Sequence, residues 1–215
     1  MPENLFETQY DLTKKSRLRL FYKSNKIIIY TSILVLIIII ASYFYYQSSK
    51  EKKKILLSEN YIQAKVYLEN EKKEQAVKIL KDVILSDDPT YSTLSFFTLL
   101  NGNLIEDYEE ISKLFDHLLE SNKFDKEMEN LLLYKKALFK SNYVEESKIL
   151  QETKSLLNKE SVWKGHVLLL LGDFYFSKEQ YIKAKDFYTQ ILIIKNLQTN
   201  LYEQAKLKLA LIPND

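Results

Sequence analysis

The 215-residue chain carries 31 basic and 29 acidic side chains, a formal net charge of +2, which excludes the strongly basic face that a nucleic-acid binder uses to displace counterions from a phosphate backbone. It contains no cysteine, so a disulfide frame, a thiolate metal site and a cysteine nucleophile are all excluded. Only three glycines and three prolines are present, and with abundant leucine, lysine, glutamate and isoleucine this predicts an all-α chain over a turn-rich β architecture.

Charge is distributed unevenly. Residues 1–50 hold seven basic and three acidic side chains, and the remainder 24 and 26. Residues 1–26 therefore form a basic N-terminal tail, which contains both arginines, Arg17 and Arg19. Leu18, Leu20 and Phe21 among these bases are compatible with a segment lying on an anionic membrane surface, although a stop-transfer flank is the simpler reading.

Residues 27–49 follow as an uncharged run. Ile27 to Tyr46 reads IIIYTSILVLIIIIASYFYY, 20 residues that as a helix extend about 30 Å, the hydrocarbon thickness of a bilayer. Tyr22 and Tyr30 at one end, and Tyr43 to Tyr46 at the other, place amphipathic rings where the two interfaces would lie. A cleaved signal peptide shares the basic-then-apolar order, but its apolar region is shorter and ends in a small-residue site. Ser42-Tyr43-Phe44 offers none, and an uncleaved single anchor is predicted. Six basic residues, Lys14, Lys15, Arg17, Arg19, Lys23 and Lys26, precede the span, against Lys50, Lys52, Lys53, Lys54 and Lys65 after it. The positive-inside rule then leans, by one residue, toward a cytoplasmic N-terminus and an exported C-terminal domain.

Residues 50–215 show helical spacing interrupted by short polar breaks. Near the end, Gly172, Tyr175, Ala184, Tyr188 and Ile191 fall in an order that resembles a tetratricopeptide repeat, whose 34-residue unit pairs two helices through small residues. Ala64, Tyr67, Ala76, Leu80 and Val83 take the same places near the start, with Pro89 just past the family's closing proline position. Between them, Tyr108, Ile111, Phe115 and Leu118, then Val144, Ser147 and Leu150, follow the second-helix pattern. Taking Ala76, Ile111, Ser147 and Ala184 as equivalent gives intervals of 35, 36 and 37 residues. About four hairpins are expected, with Leu99 and Lys135 where the family prefers a small residue. Leu201 to Ile212 forms a capping helix, with Tyr202, Ala205, Leu209 and Ile212 on one stripe. The resemblance implies a helical-hairpin solenoid behind the anchor.

Local punctuation agrees. Asp87-Asp88 before Pro89 is a helix start, because a carboxylate accepts free amide hydrogens while proline occupies the first turn. Asn101-Gly102-Asn103 is a helix stop. Glu109-Glu110 and Glu145-Glu146 are assigned to solvent faces. His117 and His166 stand isolated, with no metal-ligand spacing. Nucleotide-binding glycine loops and the nucleophile-elbow motif are absent from the sequence. Neither an enzyme, nor a metal, nor any other cofactor is expected.

Stacked hairpins curve, and their first helices line a concave surface that suits a peptide or partner helix. In the register above, that surface comprises Tyr61, Lys65 and Leu68, then Phe96 and Leu100, then Leu132, Lys136 and Phe139, then Leu169, Asp173 and Phe176. Several of these serve equally well as packing between hairpins. Cytosolic chaperone receptors of the repeat family hold a C-terminal carboxylate with a clamp of lysine and asparagine. Lys65 suits one such place, but Tyr61 and Phe97 stand where other clamp residues belong, which argues against that specificity.

The tail with Phe6-Glu7 and Asp11, the single anchor, and the degenerate hairpins ending in Ala205-x-x-Lys208-Leu209 together resemble the bacterial ancillary SecYEG translocon subunit family. That resemblance implies a single-pass inner-membrane protein whose repeat domain faces the periplasm, beside the translocon, and acts with periplasmic chaperones on exported proteins. Two other readings share the architecture: a cytosol-facing receptor that recruits soluble partners, and an envelope assembly factor with the same topology as the translocon subunit.

Overall fold

A computed structural model describes residues 5–158, 161–195 and 197–213, with side chains from residue 19 onward except residue 20. Phe6, Glu7 and Asp11 lie outside the described side chains. The described residues are all-helical, with nine helices and no strand. The chain divides into two units, Met1–Leu56 and Leu57–Asp215. Helix α1 (Leu5–Glu69) contributes to both.

In the first unit, α1 contains the apolar run, and the most apolar stretch of that run is 0% buried. Leaving so much isoleucine in contact with solvent is the reverse of what a core helix does. The helix breaks at Asn25 (φ −113°, ψ 18°), just before the run begins. Asn25 Nδ2 donates to the Phe21 carbonyl at 3.2 Å, a local bond that competes with the helical ladder and accounts for the kink. The hydroxyls of Tyr22 and Tyr30 meet at 2.6 Å, one from either side of the break.

The second unit begins with the last turns of α1 and continues through α2 (Lys73–Ile84), α3 (Pro89–Asn101), α4 (Tyr108–Ser121), α5 (Lys126–Lys140), α6 (Glu146–Leu157), α7 (Lys164–Ser177), α8 (Tyr181–Leu192) and α9 (Thr199–Ala210). Three starts are capped identically. Asp88, Asp107 and Asp125 each accept two amide hydrogens of the first turn of α3, α4 and α5, at 2.8–3.2 Å, and Pro89 opens α3. Three helix exits are also alike. Glu71, Asn103 and Glu179 adopt left-handed φ of 60°, 46° and 57°. The next amide then bonds back five residues, Lys72 to Tyr67, Leu104 to Leu99 and Gln180 to Tyr175, at 2.9–3.0 Å. This double-bonded exit satisfies carbonyls that the helix end leaves free, and it turns the chain into α2, α4 and α8. The exit of α5 is different, since Tyr143 and Val144 both bond to the Lys140 carbonyl.

The common exits expose two register differences from the sequence reading. In the second hairpin Phe96, three residues before Leu99 and 1% exposed, stands where α3 meets α4, its ring 4.3 Å from that of Phe115. The loop to α4 is longer to compensate. In the third hairpin the small buried residue is Ala137, not Lys135, and the inward face of α6 is Ile149, Thr153 and Leu156, all 0% exposed, whereas Ser147 faces solvent. With Ile149 as the equivalent point the intervals become 35, 38 and 35 residues. Leu201, 2% exposed, rather than Tyr202, 39% exposed, heads the inward stripe of α9.

Two apolar clusters form the interior. One gathers Ala64, Ala76, Leu80, Phe96, Phe115 and Leu132; the other gathers Ala137, Ile149, Leu171, Tyr188, Ile191 and Ala205. Several polar groups are tied within the domain. Glu146, expected to be solvated, accepts from the Tyr175 hydroxyl at 3.0 Å and from Lys183 at 2.7 Å. Lys183 and then Tyr175 hold the Glu146 carboxyl below its ordinary range. Burial and that same bond push the Tyr175 phenol up to about 12.

Candidate interaction surface

The eleven residues expected to line a groove fall into four groups in the structure. Phe96 and Leu132, at 1% and 0% exposure, are interior and offer no surface to a partner. Leu68, Leu100 and Phe139 are half-buried against the first cluster, and Leu169 and Phe176 against the second. Phe139 stacks on Tyr108 at 5.5 Å with 15° between the rings, and Phe176 meets Tyr181 edge-on at 5.5 Å. These side chains glue helices together.

The two central charges are also engaged internally. Lys136 on α5 donates to Asp116 of α4 and lies 3.7 Å from Glu152 of α6. Burial pushes its ammonium down, but the bond to Asp116 and the charges of Glu152 and Asp116 together outweigh this and hold it above the ordinary lysine range. Lys140 binds the same Glu152 at 2.8 Å. Asp173 on α7 accepts the Tyr188 hydroxyl at 2.6 Å and pairs with Lys208 of α9 at 2.8 Å. Burial, with Asp173 beside it, keeps the Tyr188 phenol protonated far above the usual range. Both charges tie three helices together and are spoken for.

Two of the eleven, Tyr61 and Lys65, remain at the surface, and an aromatic cluster that is not among them reaches it as well. On α1 and α3, Tyr61 shares a hydrogen bond with Thr98 at 3.2 Å, and its ring centre is 6.4 Å from that of Tyr91. Lys65 is exposed beside them, as are Ile62, Val66 and Leu94. On α5 and α7, Tyr134 stacks on Trp163 at 5.6 Å with 22° between planes, and His166 closes the triangle at 5.6 Å and 5.3 Å. Sequence reasoning missed this cluster. Its signal was Ala137: Tyr134 precedes that buried alanine by three residues, as Tyr61 precedes Ala64.

The environment of the triad is distinctive. Burial, and then the charge of Lys135, hold His166 below the ordinary histidine range, so its ring is neutral at neutral pH. Burial, and then the carboxylate of Asp173, raise the Tyr134 phenol. Neutral half-buried rings with polar edges bind by stacking, apolar contact and hydrogen bonding. Among the described residues no cluster of three or more histidine, aspartate or glutamate side chains is arranged to hold a metal ion. No protein-family model, curated protein or solved structure matches the chain.

Proposed function

We propose that the protein is a membrane-tethered, non-enzymatic protein-interaction scaffold. One observation carries this reading: fifteen large apolar or aromatic side chains between Ile27 and Tyr46 are exposed. At about 2 kcal/mol for each such side chain left in water, the cost exceeds the whole stability of an ordinary domain, about 5–15 kcal/mol. A bilayer around 27–49 removes it. The second unit buries apolar residues in two cores, and aromatic and aliphatic side chains such as Ile62, Leu94 and Ile182 also reach its surface.

The recurrent helix exit after Tyr67, Leu99 and Tyr175 supports a tetratricopeptide repeat-like stack, degenerate in its second and third hairpins and capped by α9. In this reading the N-terminus is cytoplasmic, the anchor crosses the bacterial inner membrane once, and the helical domain is periplasmic. The resemblance of the layout to ancillary SecYEG subunits makes the translocon, periplasmic chaperones and exported chains the expected partners.

Because cysteine is absent, topology is directly testable. Single Ser16→Cys and Ser155→Cys variants are treated with a membrane-impermeant thiol reagent on cells whose outer barrier has been opened. Labelling at position 155 alone is expected. Labelling at position 16 alone overturns the exported domain in favour of a cytosol-facing receptor. Affinity capture from detergent extracts should recover translocon or chaperone subunits; recovery at background level removes the translocon assignment.

A further inference from the structure

Residues 14–26 contain six basic side chains, Lys14, Lys15, Arg17, Arg19, Lys23 and Lys26, and no acidic one. The 13 residues that begin at Lys50, beyond the span, contain four basic and two acidic side chains, so the two flanks carry net charges of +6 and +2. Ion pairing along a helix requires a partner three or four residues away. The carboxylate nearest to Arg19 in sequence is Asp11, and none occurs from residue 12 to residue 50. Arg19, Lys23 and Lys26, all exposed, are therefore uncompensated by their own segment. Phe21 and Tyr22 are exposed among them.

The break at Asn25 decides how these charges are used, given the membrane anchor on which this inference rests. Continued straight along the bilayer normal, a helix would hold Lys14 about 18 Å from Lys26, beyond the ~10 Å Debye length over which an anionic surface attracts at about 0.1 M salt. Turned along the surface at the break, the same segment keeps all six cations within reach of lipid phosphates. The rings of Tyr22 and Tyr30 meet across the break at 6.4 Å. Amphipathic rings of this kind favour the headgroup level, which sets the break at the interface. A stop-transfer role ends once the span is inserted, whereas the attraction of these charges to anionic headgroups persists.

We propose that residues 14–26 lie on the adjoining leaflet and gather anionic phospholipid around the N-terminal end of the anchor. Lipid phosphates meet Arg19, Lys23 and Lys26, and Phe21 enters the boundary of the acyl chains. The anchor then selects its lipid neighbours on one side only.

The test uses full-length protein carrying Trp163→Phe and one new tryptophan, Phe21→Trp or Tyr43→Trp. Each is reconstituted at about 0.1 M salt in bilayers of phosphatidylcholine with a minority of phosphatidylglycerol, one or the other lipid being brominated to quench fluorescence. At position 21 phosphatidylglycerol should be enriched at least about threefold over its bulk share, and at position 43 less than about 1.5-fold. Combined Arg19→Gln, Lys23→Gln and Lys26→Gln should at least halve the excess at position 21, as should combined Lys14→Gln, Lys15→Gln and Arg17→Gln. Combined Lys50→Gln, Lys52→Gln and Lys54→Gln should leave it intact, and salt at about 1 M should abolish it. Equal enrichment at the two positions, or an equal loss from the Lys50 set, overturns the proposal, and an excess that ignores the Lys14 set overturns the surface-lying arrangement. Quenching in proportion to bulk composition removes the lipid preference and leaves the anchor and the scaffold reading standing, whereas no quenching by either lipid at either position removes the anchor itself.

Discussion

Gly172 offers the sharpest test of how the helices are fitted together. A methyl group added there would sit 2.6 Å from Cδ1 and 2.9 Å from Cζ of Tyr188, so in Gly172→Ala the ring must recede by about 1 Å to reach normal contact. Tyr188 is 0% exposed and has no free volume to enter. Its hydroxyl bond to Asp173, 2.6 Å long, would stretch past hydrogen-bonding range. Overpacking costs about 1–3 kcal/mol and the lost bond to a charged acceptor about 1.5–3 kcal/mol. The better helix propensity of alanine returns about 1 kcal/mol, for a net loss of about 1.5–5 kcal/mol. Urea unfolding of the full-length protein, followed through Trp163 fluorescence, should show the midpoint falling by about 1–2 M. Gly165→Ala is the control. Its methyl meets Leu197 Cδ1 at 2.9 Å, but that atom ends a flexible side chain bordering a cleft of about 350 Å³, and the midpoint should move by no more than about 0.5 kcal/mol in equivalent stability. Adding Tyr188→Leu to Gly172→Ala should recover at least about 1 kcal/mol relative to the summed single effects. A Gly172→Ala midpoint equal to or above wild type, or a double variant that is merely additive, refutes the reasoning.

Glu152→Ala removes the carboxylate bound to Lys140 and near Lys136, whose side chains are 8% and 12% exposed; a loss of about 3 kcal/mol is expected. Glu110→Ala, which frees the more exposed Lys81, should cost under about 1 kcal/mol, and equal losses in thermal melts would contradict this contrast. Asp88→Ala, Asp107→Ala and Asp125→Ala should each cost about 1 kcal/mol, whereas Glu145→Ala, at a helix start without a side-chain cap bond, should be neutral by the same melts. His166 has a folded pKa below its ordinary 6.5, so the unfolded chain takes up the proton first. Its contribution to stability is whole above that value, declines as pH falls below it, and levels off once the folded ring also protonates. Urea midpoints at about pH 7.5 and 5.5 should differ less in His166→Gln than in wild type; an unchanged difference counts against a buried neutral ring.

The helices α1 and α2, and likewise α7 and α8, are legible in the sequence because small residues mark them. Ala64 and Ala76, and likewise Gly172 and Ala184, are fully buried pairs in otherwise regular apolar spacing. The helix starts at Asp88 and the stop near Gly102 were legible for the same local reason, since cap chemistry depends on neighbours in sequence. The middle hairpins were not, because their interior contains polar residues. Thr153 is fully buried with its hydroxyl donating to the Ile149 carbonyl at 2.8 Å, and Lys140 is 6% exposed, satisfied by Glu152. Neither reads as interior in a hydrophobic pattern, and Val144, Ser147 and Leu150 supplied a competing stripe. The groove positions inherited that slip, so Leu132 was placed outside and Tyr134 was overlooked.

The placement of α5 has a consequence for how the domain opens. Its Leu132 belongs to one apolar cluster and its Ala137 to the other, so unwinding α5 exposes both interiors, while the α1–α2 pair or α9 can fray from its own end. Backbone amides of α5 should therefore exchange with solvent only through global opening, as the slowest of the domain, with protection stepping down toward either terminus.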